Sequence, residues 1–126
     1  MREKSIWHNY EERIAWTDSL PECSIYELAR QTAVRYPNKI AIEFEGKKTT
    51  YKKLFEQIDA TASALIANGV KKGDCISIVS INTPQVVIMI YAANRIGAVV
   101  NMIHPLLSST EIKKFIQDTK STTVLI

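Results

Sequence analysis

Two polar residues occupy positions where a parallel sheet places ligand-binding groups. Asn82 follows the apolar run 75–81, and His104 follows the apolar run 98–103. If both runs are parallel strands, both side chains lie beyond carboxyl strand ends, where open α/β sheets bind ligands. Structural roles compete with this interpretation, because Asn favours turns and a histidine there can cap the strand by bonding to backbone. The sequence leaves the roles of Asn82 and His104 open.

Arg95 is a third residue with two competing interpretations. It lies near the end of a predicted apolar helix and precedes Ile96 and Gly97. A cation at that place complements the negative end of the helix dipole. The alternative is that the guanidinium group contacts an anion at the protein surface, since it presents several hydrogen-bond donors.

Other catalytic, cofactor and metal-binding patterns are missing from the sequence. Its four glycines form neither GxGxxG nor a P-loop. No GxSxG segment joins a strand to a helix, as a serine nucleophile would require. His8 and His104 stand far apart, without Cys or Asp at the spacing of metal ligands. We therefore predict no catalytic residue and no metal ligand in this chain.

Composition and charge indicate a globular chain of one domain. The 126 residues are 46% hydrophobic and 23% charged, with a formal net charge of +3. The lysines form pairs spread along the sequence and few lie beside stacking aromatics, so we expect no nucleic-acid partner. The most apolar run, 86–93, is far shorter than the ~20 residues of a membrane-spanning helix. Two cysteines without CxxC spacing favour a reducing compartment, and we expect a soluble, cytoplasmic protein.

A helix, a hairpin and a second helix are predicted before residue 75. Ser24 and Glu27 form a capping-box pattern at the start of the first helix, and Pro37 ends it. Residues 40–44 alternate as a strand does, and Glu45-Gly46 permits a tight turn into a short return strand. The second helix begins near residue 50 and stops at Gly69. Apolar residues at helical spacing predict the buried faces of the two helices: Ile25, Leu28, Ala29, Thr32, Ala33 and Tyr36, then Tyr51, Leu54, Phe55, Ile58, Ala62, Leu65 and Ile66.

Residues 75–126 predict the order β-α-β-α-β. The strands are 75–81, 98–103 and 122–126, and the first two read as strands covered on both faces. Thr83 and Pro84 start a helix that is apolar nearly all round and ends at Gly97, so we expect it to be buried. Ser108 and Glu111 start another, with Ile112, Phe115 and Ile116 inward. Short connections make the strands parallel and neighbouring, giving the α/β class with an incomplete, doubly wound, mostly parallel sheet.

The chain ends inside an apolar strand that five residues cannot cover. We therefore expect this chain to be the beginning of a larger protein. Residues 1–23 show no sustained period and are predicted to form an irregular N-terminal arm. The unfinished sheet leaves apolar surface exposed, so we expect the isolated chain to self-associate.

Six stretches, in this order and spacing, carry a family resemblance. They are YPNKIA at 36–41, TYKKL at 50–54, GVKKGD at 69–74, NTPQ at 82–85, AANRIGAVV at 92–100, and 111–126. Together they resemble the N-terminal segment of the AMP-forming acyl-activating synthetases, which include acyl-CoA synthetases, peptide-synthetase adenylation domains and beetle luciferases. Residues 24–126 would then be the first part of the family's large N-terminal domain. The arm with Trp7 and Tyr10 looks like the start of fatty-acyl-CoA ligases.

The resemblance implies a two-step reaction for the parent protein. A carboxylic acid, expected to be a fatty acid, reacts with ATP and Mg²⁺ to form an acyl-adenylate, and coenzyme A then displaces AMP. The family's phosphate loop and catalytic lysine lie downstream of this sequence, so we expect the chain alone to be inactive and to bind no cofactor tightly. Arg95 is carried over as a phosphate contact of coenzyme A, because the Arg-Ile-Gly-Ala element lies near that nucleotide in acetyl-CoA synthetases. At His104-Pro105 many relatives have Asn-Pro.

Two alternatives remain open at this stage. The chain could be a complete small α/β interaction module that pairs with a synthetase, or the start of a peptide-synthetase adenylation domain. In the main interpretation its partners are the remainder of its own polypeptide and a small-molecule carboxylate substrate.

Overall fold

The computed structural model describes residues 21–126. The predicted arm over 1–23 lies, up to residue 20, outside the described residues. The elements are α1 (Ile25–Arg35), β1 (Ile40–Phe44), β2 (Lys47–Thr50), α2 (Tyr51–Ala67), β3 (Cys75–Val79), α3 (Pro84–Ile96), β4 (Val99–Ile103), α4 (Ser109–Asp118) and β5 (Thr123–Leu125). The predicted order, a helix, a hairpin and a helix before β-α-β-α-β, is confirmed.

The strands form an antiparallel hairpin, β1-β2, and a parallel sheet in the order β4-β3-β5. The prediction of parallel strands is confirmed, but β5 lies beside β3 and not beside β4. The chain leaves β3 on one side and then crosses back over it. Right-handed crossovers in opposite directions place α3 and α4 on opposite faces of the sheet. This arrangement is a doubly wound α/β fold.

The main core lies between the sheet and the layer formed by α1, α2 and α3. Ile76 and Ile78 of β3 point into this layer, and Ile58, Ala62 and Ala92 on the helices are fully buried beside them. The small alanine side chains let α2 and α3 pack closely against each other. Burial of β3 on both faces confirms the prediction for this strand, although the strand ends at Val79 and Ile81 is exposed.

The opposite face of the sheet carries a buried polar cluster. Ser77 of β3 is fully buried, and its hydroxyl lies 2.6 Å from the Ser121 hydroxyl and accepts a hydrogen bond from Asn101 Nδ2 at 2.9 Å. Asn101 also donates to Thr119, the residue that caps α4. Because buried polar groups are costly when unpaired, this network favours one placement of α4 and β5 on the sheet.

Several predicted buried faces are wrong in detail. On α1, Ile25 and Leu28 are about half exposed, whereas Tyr26, which lies outside the predicted stripe, is buried. On α2 the predicted stripe is confirmed except at Ile66, which is exposed. On α4, Phe115 is 45% exposed. Helical spacing identifies an apolar face, but the position of the neighbouring elements decides which part of it is covered.

The predictions of full burial for α3 and β4 are also wrong. Only Val86, Ala92 and Ala93 of α3 are buried, and most of its other apolar side chains are half-buried. β4 lies at an edge of the described sheet, and Val99 and Met102 are exposed. An edge strand has a neighbour on one side only, so its side chains lose less solvent contact than those of β3.

Local signals position the element ends as predicted. Both capping boxes are present, at Ser24 with Glu27 and at Ser108 with Glu111. Thr83 caps α3 with Pro84 in its first turn. Glu45 and Gly46 both have positive φ, the requirement of a type I′ hairpin turn. Gly97 ends α3 in the left-handed conformation at φ 76°.

Gly97→Ala is expected to destabilise the fold by about 1–2 kcal/mol, because an L side chain is unfavourable at this left-handed φ. Its Cβ would also lie 2.8 Å from Lys72 Cγ. Gly69→Ala is the matched control, with φ 89° and nothing within 4 Å of the added Cβ. Chemical denaturation measures both, and Gly97→Ala should lose at least as much unfolding free energy as Gly69→Ala. An unchanged value for Gly97→Ala would contradict this account of the helix end.

The capping boxes should make stability depend on acid pH. Hydrogen bonds from the backbone and hydroxyl of Ser24 lower the pKa of Glu27, and those from the hydroxyl and backbone of Ser108 lower the pKa of Glu111. A lowered folded-state pKa stabilises the fold above the unfolded-state pKa, and this contribution is lost as pH falls through the folded-state pKa.

Glu27→Gln with Glu111→Gln should therefore flatten the acid limb of the unfolding free energy between pH 7 and about pH 3, a range that spans the ordinary glutamate pKa. Glu56→Gln, on the exposed surface of α2, is the control. Thermal unfolding followed by circular dichroism across this range makes the measurement. An acid limb as steep in the double variant as in the control would count against the assignment.

Candidate functional site

Arg95 lies in a group of polar side chains that joins three helices. We call Tyr26, Arg30, Asp59, Asn94 and Arg95 the three-helix cluster. From the last turn of α3, Arg95 Nε approaches Asp59 Oδ1 on α2 at 3.4 Å, and Arg95 Nη1 donates to the Asp59 carbonyl oxygen at 3.4 Å. The Arg95 guanidinium carbon also lies 5.7 Å from the centre of the Tyr26 ring on α1. The side chain predicted to contact an anion is thus held from two sides by other helices.

Tyr26 is the residue that ties the cluster together. Its hydroxyl donates to Asp59 Oδ1 at 2.7 Å, and its ring lies 5.7 Å from that of Phe55. Its backbone N–H, one of those a helix leaves unpaired in its first turn, donates to Asn94 Oδ1 at 2.9 Å. Burial and then the hydrogen bond to Asp59 raise the pKa of Tyr26, so its hydroxyl stays protonated and donating.

Two guanidinium groups share one carboxylate in the three-helix cluster. Arg30 Nη1 lies 3.3 Å from Asp59 Oδ2 and also donates to the Tyr26 hydroxyl at 3.1 Å. That hydrogen bond is the main reason that the pKa of Arg30 is raised, and it keeps the group charged. With Arg30 and Arg95 against Asp59 alone, the cluster carries one positive charge in excess. Arg95 is 38% exposed, so an anion from solvent can reach this charge.

Sequence reasoning identified Arg95 in this cluster but missed Tyr26, Asp59 and Asn94. The signal available for Asp59 is a carboxylate beside the buried face of α2, next to Ile58. Tyr26 and Arg30 are four residues apart on one helix, where side chains meet. The contacts that matter span 33 residues between Tyr26 and Asp59 and 68 between Tyr26 and Asn94. No local pattern connects positions so far apart.

A small cavity lies at the carboxyl ends of β3 and β5. Its volume is about 140 Å³, and its lining includes Ser80, Thr83, Met89 and Leu125. This is the topological switch point, where the chain moves away from β3 on one side and returns on the other. Whole small-molecule sites occupy roughly 300–1,000 Å³. The described residues therefore form one wall of such a site rather than a complete one.

The structure places Asn82 and His104 beyond neighbouring strand ends, but neither is among the residues that line this cavity. His104 is exposed, and its Nδ1 accepts a hydrogen bond from the Leu106 backbone N–H at 3.2 Å. This contact matches the capping interpretation of His104. Asn82 is exposed in the connection between β3 and α3.

Within residues 21–126 no group of three or more His, Cys, Asp or Glu side chains is arranged to hold a metal ion. A Mg²⁺ site made of such side chains would therefore need residues from elsewhere. Among the helices of the same residues, none has both the length and the apolar character to cross a membrane.

Comparison with curated proteins gives relatives that activate carboxylic acids. The chain is 30% identical over 106 residues to a long-chain-fatty-acid–CoA ligase of Bacillus subtilis, covering 84% of this chain and 19% of the ligase. It is 33% identical to acetyl-coenzyme A synthetase 1 of Kluyveromyces lactis, covering 90% and 17%. It is also 34% identical to one of the polypeptides of mycosubtilin synthase from Bacillus subtilis, covering 86% and 4%. The chain thus spans less than a fifth of each of these relatives.

Solved structures show the same fold. NpsA-ThdA of Klebsiella oxytoca, an artificially fused adenylation-PCP di-domain NRPS, superposes with a TM-score of 0.77 at 26% identity, covering 80% of this chain and 19% of that one. The N-terminal domain of FACL13 from Mycobacterium tuberculosis also has a TM-score of 0.77 at 26% identity, covering 80% and 26%. The model of the family described as AMP-binding enzyme matches residues 29–126. With that match over most of its length, and with the fold and relatives in agreement, this chain belongs to the AMP-binding enzyme family.

Proposed function

We propose that this chain is the opening part of a ligase that activates a fatty acid and transfers it to coenzyme A. In the first step the carboxylate attacks the α-phosphate of ATP, giving acyl-adenylate and pyrophosphate. In the second the thiol of coenzyme A displaces AMP and forms the thioester. The observation that carries the proposal is the match to a fatty-acid–CoA ligase over 84% of the chain, supported by the 90% coverage against an acetyl-CoA synthetase.

Arg95 is proposed to contact a phosphate group of coenzyme A. Three features of the described residues support this role: the side chain is partly exposed, the three-helix cluster has one excess positive charge, and Arg95 Nη2 takes part in none of the contacts with Asp59. An arginine can hold a phosphate through such an unused edge while another edge stays paired.

The chain is proposed to act only together with the rest of a longer polypeptide. The cavity at the switch point is too small for ATP, and the described residues supply no acidic metal cluster. ATP, Mg²⁺, coenzyme A and the carboxylate substrate would then bind the complete enzyme, and none of them would bind tightly to this chain. Free Cys23 and Cys75 fit the proposed cytoplasmic location.

Pyrophosphate exchange separates the chain from the complete enzyme. The purified 126-residue chain should show no carboxylate-dependent ATP–pyrophosphate exchange, because it lacks a site large enough for the nucleotide. If the coding DNA continues beyond the Ile126 codon, the complete product should show exchange with fatty acids and form acyl-CoA. Exchange by the chain alone would refute the proposed inactivity. A stop codon directly after Ile126 would refute the ligase proposal and favour the interaction module.

The same assay tests a second candidate, an adenylation domain of a peptide synthetase. The match to mycosubtilin synthase and the superposition on the NpsA-ThdA di-domain favour it specifically. A panel of fatty acids, acetate and amino acids distinguishes the two. Exchange with an amino acid, and no thioester formed on coenzyme A, would replace the fatty-acid proposal with this one.

Self-association of the isolated chain is expected through the apolar surface on the described sheet. Val99 and Met102 on β4 are 57% and 44% exposed, and β4 carries no charged residue or proline that would discourage edge pairing. Multi-angle light scattering should therefore give a mass above the 14.2 kDa of one chain, increasing with concentration. Val99→Lys, which adds a charge at the exposed edge, should lower it. A monomer at every concentration would rule the proposal out.

A further inference from the structure

The contacts of the three-helix cluster form a closed ring around Arg95. Arg95 Nε reaches Asp59 Oδ1, and the same oxygen accepts a hydrogen bond from the Tyr26 hydroxyl. The Tyr26 backbone N–H donates in turn to Asn94, the chain neighbour of Arg95. The ring therefore starts and ends on α3, and passes through α2 and α1.

Asp59 is held in place independently of Arg95. Its Oδ1 accepts from Tyr26 at 2.7 Å, the shortest contact in the ring, and its Oδ2 faces Arg30 at 3.3 Å. Its backbone belongs to the 17-residue helix α2. The carboxylate is thus oriented by contacts on both of its oxygens, whereas Arg95 meets it at 3.4 Å. Orientation passes from Asp59 to Arg95 and not the other way.

We propose that Asp59 is a positioning residue that orients Arg95 for its phosphate contact. This inference rests on the proposed function of Arg95. The Nε edge of the guanidinium group is turned toward α2, and its face lies over the Tyr26 ring. The Nη2 group takes part in neither contact and is left for an anion. Fixing the rotamer before binding reduces the conformational entropy lost when the phosphate arrives.

Two substitutions of Asp59 separate positioning from charge. Asp59→Ala removes the acceptor for Arg95 and Tyr26, whereas Asp59→Asn keeps one carbonyl oxygen as acceptor and loses only the charge. In the complete ligase, Asp59→Ala should raise the KM for coenzyme A about tenfold, the scale typical of partners that orient a ligand-binding side chain. The rate of ATP–pyrophosphate exchange should stay unchanged. Asp59→Asn should restore most of the KM.

Glu43→Ala is the matched control. Glu43 forms another exposed carboxylate–cation pair, with Lys48 at 3.7 Å on the β1-β2 hairpin, away from the three-helix cluster. Its KM for coenzyme A should not change. The midpoint of thermal unfolding, measured for every variant, shows whether a loss of function is a loss of fold.

The outcomes distinguish this inference from the proposed function. If Arg95→Gln leaves the KM for coenzyme A unchanged, the phosphate contact falls and the inference falls with it. If Arg95→Gln raises the KM and Asp59→Ala does not, only the positioning role falls. If both Asp59 variants lower the KM, Asp59 is a competing counter-charge, and the positioning role is overturned.

NMR of the 126-residue chain tests the orientation without the catalytic reaction. The Arg95 Nε–H should exchange slowly with solvent in the unsubstituted chain and in Asp59→Asn. In Asp59→Ala it should exchange several times faster, while the backbone spectrum away from the cluster is retained. Equal exchange in all three proteins would overturn the inference, whatever the length of the natural polypeptide.

Discussion

The burial of β3 on both faces is the constraint on which the described structure depends. A strand with parallel neighbours on both sides has no exposed backbone edge, and each face needs its own cover. Ile76 and Ile78 meet the layer of α1, α2 and α3, whereas Ser77 meets the polar cluster below α4. Covering both faces from one chain requires the connections to run in opposite directions, which is why β5 returns to the far side of β3. The switch point and its cavity follow from this crossing.

The three helices on one face are joined by chemistry as well as by packing. Apolar contact brings α2 and α3 together, but hydrophobic burial is not directional. Tyr26 adds direction, because its hydroxyl, ring and backbone N–H each contact a different group. Ion pairs that are a third or more exposed contribute little stability by themselves. Their consequence here is geometric: Asp59 sets where the guanidinium group of Arg95 lies.

Membership in the AMP-binding enzyme family and the geometry of the described residues agree on a limited role for this part of the chain. It supplies a scaffold strand, a wall of a cleft and an oriented cation. It spans less than a fifth of the curated relatives compared above. The reaction proposed for the complete enzyme needs nucleotide and metal contacts beyond those of residues 21–126. The separation is physically sensible, since a rigid sheet edge can orient groups contributed by later segments.

Features determined by neighbouring residues were predictable from the sequence alone. The capping boxes, the Glu45-Gly46 turn and the left-handed Gly97 follow from contacts within a few residues, and the apolar run of β3 follows from composition. Arg95 could be identified as a candidate, but its partners could not. Only the tertiary structure decided that Tyr26 is buried while Ile25 is exposed, that β5 pairs with β3, and that Asp59 meets Arg95. These outcomes depend on which elements arrive beside each other, and the chain order of side chains does not encode that by any local period.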